Sequence, residues 1–188
     1  MSSVERHPSL DDRFDSATRV VAHDSAWAGR AGAELARIGA ALGSVAVRLE
    51  HVGSTAVPGL PAKPIIDLQL SVEVVEQDAL YRGCLERLGY LFVADPDSPE
   101  YRFFAKPAQR PRSFHLHICE AGSAHEIRHP ALRDYLSSHR EEAESYAAVK
   151  RELNSRTGCD RLAYIAGKSA YVDALEGRAL AWSRTNAG

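Results

Sequence analysis

Apolar and polar positions alternate in step along two short runs of this chain. Val45, Val47 and Leu49 alternate with Ala46, Arg48 and Glu50, the period-two pattern of a strand with one buried face. In the run Ile65 to Leu70, the residues Ile66, Leu68 and Leu70 share one face while Asp67 and Gln69 share the other. A third alternation spans Ser113 to Cys119, where Phe114, Leu116 and Ile118 face one way and His115, His117 and Cys119 the other. Helical spacing governs much of the rest. Asp24 or Ser25 caps a predicted helix through Trp27, Leu35, Ile38 and Leu42 that Gly43 ends. Residues 76–88 read as a helix closing at Gly89, followed by a short strand at 90–93 and a turn at 95–99 rich in Asp and Pro. Strands are predicted at 101–106 and 112–119, joined by a loop with Pro107 and Pro111. Pro130 is expected to open a helix through Leu132, Tyr135 and Leu136, and further helices to span 141–156 and 160–180. Residues 1–18 read as a polar leader and 19–182 as one domain. The order of elements predicts an α+β fold: a mixed sheet of about five strands, packed helices and a helical C-terminal cap.

Composition narrows the function. With 188 residues and 45% apolar content the chain can fill one core. A net charge of −2 supplies no general basic field, which argues against a nucleic acid polymer as partner. Cys84, Cys119 and Cys159 are odd in number and include no Cys-x-x-Cys pair, against both a disulfide framework and a zinc knuckle. The reduced cytoplasm is the expected compartment. Residues 1–12 lack a signal-peptide core, and no run nears ~18 apolar residues, so a soluble protein without membrane attachment is expected.

The candidate chemistry sits where two strands end. Gly53-Ser54 closes the first, and glycine lets backbone N–H groups approach an anion, while Ser54 and Thr55 add hydroxyls; Gly53 to Thr55 is therefore a candidate phosphate nest. Asp67 stands on the next strand, away from the apolar layer. His115 and His117 project to one side of a later strand with Cα atoms ~6.6 Å apart, a spacing from which both rings can converge on one ion. Asp67 is the expected partner. Cations near these strands and on the closing helices, Lys63 and Arg102 among them, are candidates for the remaining phosphate contacts.

The segment His51-Val-Gly-Ser-Thr-Ala-Val-Pro-Gly-Leu60 with Lys63-Pro-Ile-Ile-Asp67 resembles the nucleotidyltransferase superfamily signature, a Gly-Ser at a strand end followed by acidic residues on the next strand. More closely, it is similar to the GrpB family. That resemblance extends over roughly 19–175, through Val20 to Trp27, Arg102-Phe-Phe, His115-Leu-His117, Arg133 to Leu136, Tyr146 to Lys150 and Tyr164 to Lys168. It implies a nucleotidyltransferase-like fold, ATP or another nucleoside triphosphate as substrate, and Lys150 and Lys168 as phosphate contacts. Tyr164 either stacks on a base or packs the core. In the superfamily three strand carboxylates hold two Mg²⁺ ions. This chain departs from that pattern, because Gln69 stands where a second carboxylate would, and the strand of His115 and His117 carries no acid before its end. Imidazole suits Zn²⁺ or Mn²⁺ better than Mg²⁺. Three uses of Asp67, His115 and His117 follow: one divalent metal with His assistance, a histidine general base, or retained phosphate binding without transfer. If Gln69 has removed a second Mg²⁺ site, Gln69→Asp would raise Mg²⁺ affinity. The matching function classes are nucleotidyl transfer to a small acceptor, a noncatalytic nucleotide or coenzyme A binding module, and a His/Asp metal-dependent hydrolase. The family's domain also occurs fused to a dephospho-coenzyme A kinase. The acceptor, the base and the oligomeric state are left open.

Overall fold

A computed structural model describes residues 19–94, 101–109, 111–158 and 160–186. The leader at 1–18, the turn at 95–99 and Cys159 lie outside the described residues. In order come α1 (Ala26–Leu42), β1 (Arg48–Val52), β2 (Ile66–Val72), α2 (Arg82–Arg87), β3 (Leu91–Val93), β4 (Tyr101–Lys106), β5 (Phe114–Glu120), α3 (Ala124–Ser138), α4 (Arg140–Thr157) and α5 (Arg161–Asn186). The five strands form one mixed sheet in the order β1-β2-β5-β4-β3. Only β2 and β5 run parallel; the other neighbours are antiparallel.

The period-two pattern sorts the sheet into two faces as expected. Ile66, Leu68 and Leu70 of β2, Leu116 and Ile118 of β5 and Phe104 of β4 are fully buried against Trp27, Ala31 and Ile38 of α1 and Leu85 of α2. Each buried aliphatic side chain of this layer contributes about 1.5–3 kcal/mol. The opposite face carries polar groups, paired Asp67 to His115 and Gln69 to His117 across β2 and β5, with Glu50 of β1 opposite Gln69. Helices α3 to α5 close that side around a second core of Val57, Leu60, Tyr135, Leu136, Tyr146, Leu175 and Ala179.

Several boundaries differ from the sequence reading. Strand β1 starts at Arg48 rather than near 45, because Gly43 (φ 54°) leads into a 3₁₀ turn over Gly43–Val45, which leaves Val47 46% exposed. Helix α2 is short, preceded by a 3₁₀ turn at Asp78–Leu80 and by Tyr81 at φ −121°, whose hydroxyl donates to the Val75 carbonyl. Pro130 does not open α3 but lies inside it. The helix begins at Ala124 because Ser123 caps it, its Oγ accepting from Glu126 N at 3.3 Å, while the Glu126 carboxylate turns back to accept from Gly122 N at 2.6 Å. Helix α5 runs on to Asn186. No helix among the described residues is long and apolar enough to cross a membrane.

Candidate functional site

The turn that ends β1 is built around one carboxylate. Gly53 sits at φ 71°, and a Cβ placed there would lie 2.6 Å from Asp67 Oδ2. Gly53 thus admits the Asp67 side chain itself, besides supplying the left-handed backbone of the turn. Ser54–Ala56 then forms a 3₁₀ turn with Ala56 N donating to Gly53 O at 3.2 Å and Val57 N to Ser54 O at 3.4 Å. The N–H groups of Ser54 and Thr55 precede that ladder, as the first donors of a helical turn do. The Thr55 hydroxyl is buried and bonded to His51 Nε2 at 2.9 Å. The Ser54 hydroxyl faces α4.

Asp67 lies beneath the turn and binds both predicted histidines. His115 Nδ1 is 3.2 Å and His117 Nε2 3.4 Å from Asp67 Oδ1. Burial opposes ionisation of Asp67, but the hydrogen bonds from His115 and His117 outweigh it and hold the carboxyl far below the usual range. Burial lowers the His115 pKa more than Asp67 raises it. A neutral His115 that donates from Nδ1 to a carboxylate leaves Nε2 as its proton acceptor. His117 is held from behind, its Nδ1 bonded to the Tyr101 hydroxyl and its ring 4.8 Å from that of His129. Burial, with His117 and Arg128 nearby, depresses His129 to about 3, so it is neutral.

Above Asp67 and His115 opens a cavity of about 230 Å³. Of the residues named from the sequence, Ser54, Thr55, Lys63, Asp67, His115, Lys150, Tyr164 and Lys168 line it. Lys150 of α4 is 3% exposed; its Nζ donates to Ser54 Oγ at 3.2 Å and to the Pro61 carbonyl at 2.5 Å, and stands over the Tyr146 ring. Burial, reinforced by Lys168 and Arg151, lowers its pKa to about 7. Lys63 Nζ lies 3.8 Å above the Tyr164 ring. That ring is buried, which pushes the phenol pKa up.

Three predicted site residues do not line the cavity, Gly53 because it packs against Asp67 instead. Arg102 pairs with Ile118 across β4 and β5, and so belongs to the apolar face, opposite Asp67. His117 reaches Asp67 but does not line the cavity. Conversely, Arg112, Tyr146 and Phe103 line it without having been singled out. Tyr146 was readable: it stands four residues before Lys150 on α4, as Tyr164 stands four before Lys168 on α5, so each helix presents a Tyr and a Lys from one face.

The donor set does not fit the two-Mg²⁺ arrangement of the superfamily. Gln69 is 1% exposed, its Nε2 donating to the Glu126 carbonyl at 2.9 Å and its Oε1 bonded to His129 Nδ1 at 3.0 Å. Glu50, the other acid on this face of β1 and β2, is paired with Arg133 at 2.8 Å. Among the described residues no group of three His, Cys, Asp or Glu side chains is arranged to hold an ion. Among the described residues Asp67 is the only carboxylate lining the cavity, and one of its oxygens already accepts from two imidazoles.

Comparison with known proteins places this geometry among relatives. The sequence profile of the GrpB protein family matches residues 17–178. A UPF0157 protein of Pseudomonas aeruginosa is 38% identical over 177 residues, 93% of this chain and 71% of that protein. The crystal structure of the conserved protein GrpB from Enterococcus faecalis superposes with a TM-score of 0.79 at 32% identity, covering 86% of this chain and 97% of that one. A dephospho-CoA kinase of Mycolicibacterium paratuberculosis is 31% identical over 189 residues, 88% of this chain but only 46% of that protein.

Proposed function

From its membership of the GrpB family, we propose that the chain binds a nucleotide, or a nucleotide-containing cofactor, by its phosphates in the cavity under the Gly53 to Thr55 turn. One observation carries this reading: the cavity gathers Lys63, Arg112, Lys150 and Lys168 from four separate segments, with Asp67 the one carboxylate among its described lining residues, in a chain whose net charge is −2. A protein with no general excess of basic residues that concentrates four in one concave site is suited to an anion. The volume is below the roughly 300–1,000 Å³ usual for whole ligands. It suits the phosphate end of such a ligand. The relative named as a dephospho-CoA kinase supports coenzyme A or a related nucleotide as the ligand class, although this chain spans less than half of that protein.

The Asp67–His115 pair supports a second reading, nucleotidyl transfer. With Nδ1–H held by Asp67, His115 Nε2 is a base beside the phosphate site. It would take the proton of an acceptor hydroxyl as that oxygen bonds to phosphorus, while the phosphorus–oxygen bond to the departing pyrophosphate breaks. Water in place of the hydroxyl would give hydrolysis. The test is a melting-temperature screen with ATP, ADP and coenzyme A, because a ligand that binds only the folded state raises the midpoint. The reading expects a rise for wild type that is lost in Lys150→Met. A flat response to all three would refute it. Pyrophosphate release from ATP, abolished in His115→Ala, separates transfer from binding alone.

A further inference from the structure

Ser54 and Lys150 bring a hydroxyl and an amine together at the wall of the cavity. Ser54 stands half-buried at the corner where β1 gives way to the 3₁₀ turn, and Lys150 Nζ lies 3.2 Å from its Oγ. Thr55, the neighbouring hydroxyl, is buried and tied to His51. The other hydrogen bond of Lys150 runs to the Pro61 carbonyl, so both partners are neutral oxygens. Burial, then Lys168 and Arg151, oppose its charge, and at a pKa of about 7 the amine is well populated at neutral pH. An ammonium only donates, whereas an amine also has a lone pair. Once the proton leaves, Nζ donates to the Pro61 carbonyl and its contact with Ser54 can reverse, the hydroxyl donating to nitrogen. Both groups line the cavity, and Ala62, Ile65 and Phe103 add apolar surface beside them.

We propose, independently of the nucleotide reading, that Ser54 is a nucleophile with Lys150 as its general base, and that the cavity hydrolyses a small uncharged ester through an acyl-serine. Ser54 Oγ bonds to the carbonyl carbon as its proton passes to Lys150 Nζ; the carbon–oxygen bond to the leaving alcohol then breaks, and that oxygen takes the proton from Nζ. Water attacks the acyl-serine in the same way, its proton passing through Nζ to Ser54 Oγ as the carboxylic acid departs. An uncharged ester suits this base, because an anion would favour the ammonium, which accepts no proton. Lys168 lines the same cavity, and its charge favours the oxyanion of the tetrahedral intermediate. Tyr146 and Arg151 of α4 and Tyr164 and Lys168 of α5 surround the amine, with Lys63, Asp67, Arg112 and His115 across the cavity. Asp67 and His115 have lowered pKa values and Tyr164 a raised one, so a step in rate near 7 reports Lys150.

Rapid mixing of the full chain with p-nitrophenyl acetate tests this, with p-nitrophenolate followed by absorbance and the acetylated residue located by peptide mass spectrometry. The expected result is a burst stoichiometric with the chain and an acetyl group on Ser54. The burst rate should climb as pH rises through about 7, where Lys150 loses its proton, and then level off. Ser54→Ala should lose the burst, and Lys150→Met should slow it at least about a hundredfold, with a melting curve to verify that it folds. If Lys150→Met does not fold, the pH step of the wild-type chain decides. Absence of a burst, acetyl groups on Lys150 or elsewhere but not on Ser54, or a Ser54 acylation rate without the step near 7 would overturn the inference, as would a folded Lys150→Met that reacts at the wild-type rate.

Discussion

Gly53 and Lys150 are the two residues on which the site turns, and each can be tested alone. Gly53 and Gly59 both have positive φ, 71° and 76°, but a Cβ at Gly59 meets nothing within 4 Å whereas at Gly53 it meets Asp67 Oδ2. Gly59→Ala should therefore cost only the backbone penalty, about 1–2 kcal/mol. Gly53→Ala should cost more, because Asp67 must also move and its bonds to His115 and His117 loosen. Urea denaturation of the two variants checks the order, and equal losses would mean that Asp67 has slack. For Lys150 the sign follows from linkage. Its pKa falls from 10.5 in the free side chain to about 7 in the fold, so between these values the unfolded chain binds more protons, and Lys150 makes stability rise with pH from about 7 toward 10.5. Wild type should gain on Lys150→Met across that window, measured by denaturation at successive pH values; a constant difference would place the Lys150 pKa near its ordinary value. A bound phosphate favours the charged amine, so ligand affinity should fall as pH climbs above about 7.

At the scale of elements, the docking of α3 on the polar face decides what β2 can offer. Gln69 points to the same side as Asp67, but its amide is enclosed between the Glu126 carbonyl and His129. The expectation that Gln69→Asp would create a Mg²⁺ ligand gives way to a different one. Gln69→Glu keeps the length but loses the donor to the Glu126 carbonyl and buries a charge, which should cost at least about 1–3 kcal/mol and add no Mg²⁺ affinity. A lower denaturation midpoint with an unchanged Mg²⁺ titration is expected; tighter Mg²⁺ binding would show that residue 69 reaches an open site. The faces of β2 and β5 were legible in the sequence because Ile66-Asp67-Leu68-Gln69 and Phe114-His115-Leu116-His117 alternate without a break. The face of β4 was not, since Tyr101-Arg102-Phe103-Phe104 shows no alternation, and Arg102 fell on the apolar side. The start of α3 is signalled by Ser123 and Glu126 at capping-box spacing, a cue that the sequence reading, which took Pro130 as the first turn, did not use. The seal over Gln69 depends on how α3 meets the sheet, which no local pattern encodes.

For the molecule as a whole, the sheet divides stability from chemistry. One face is closed by α1 and α2 over an apolar layer, while the other holds Asp67 and its histidines, and α4 and α5 bring Tyr146, Lys150, Tyr164 and Lys168 across to it. A ligand seated there contacts the turn, the sheet and both helices together. The central claim is that an anionic ligand occupies this one cavity. An amide-resolved NMR titration of the ¹⁵N-labelled chain with ADP in EDTA tests it most directly. The account predicts saturable shifts at Ser54 and Thr55, at His115, and at Lys150, Tyr164 and Lys168, with the amides of α1 little changed. Shifts confined to other surfaces, with Ser54, Thr55 and Lys150 unmoved at saturation, would contradict it.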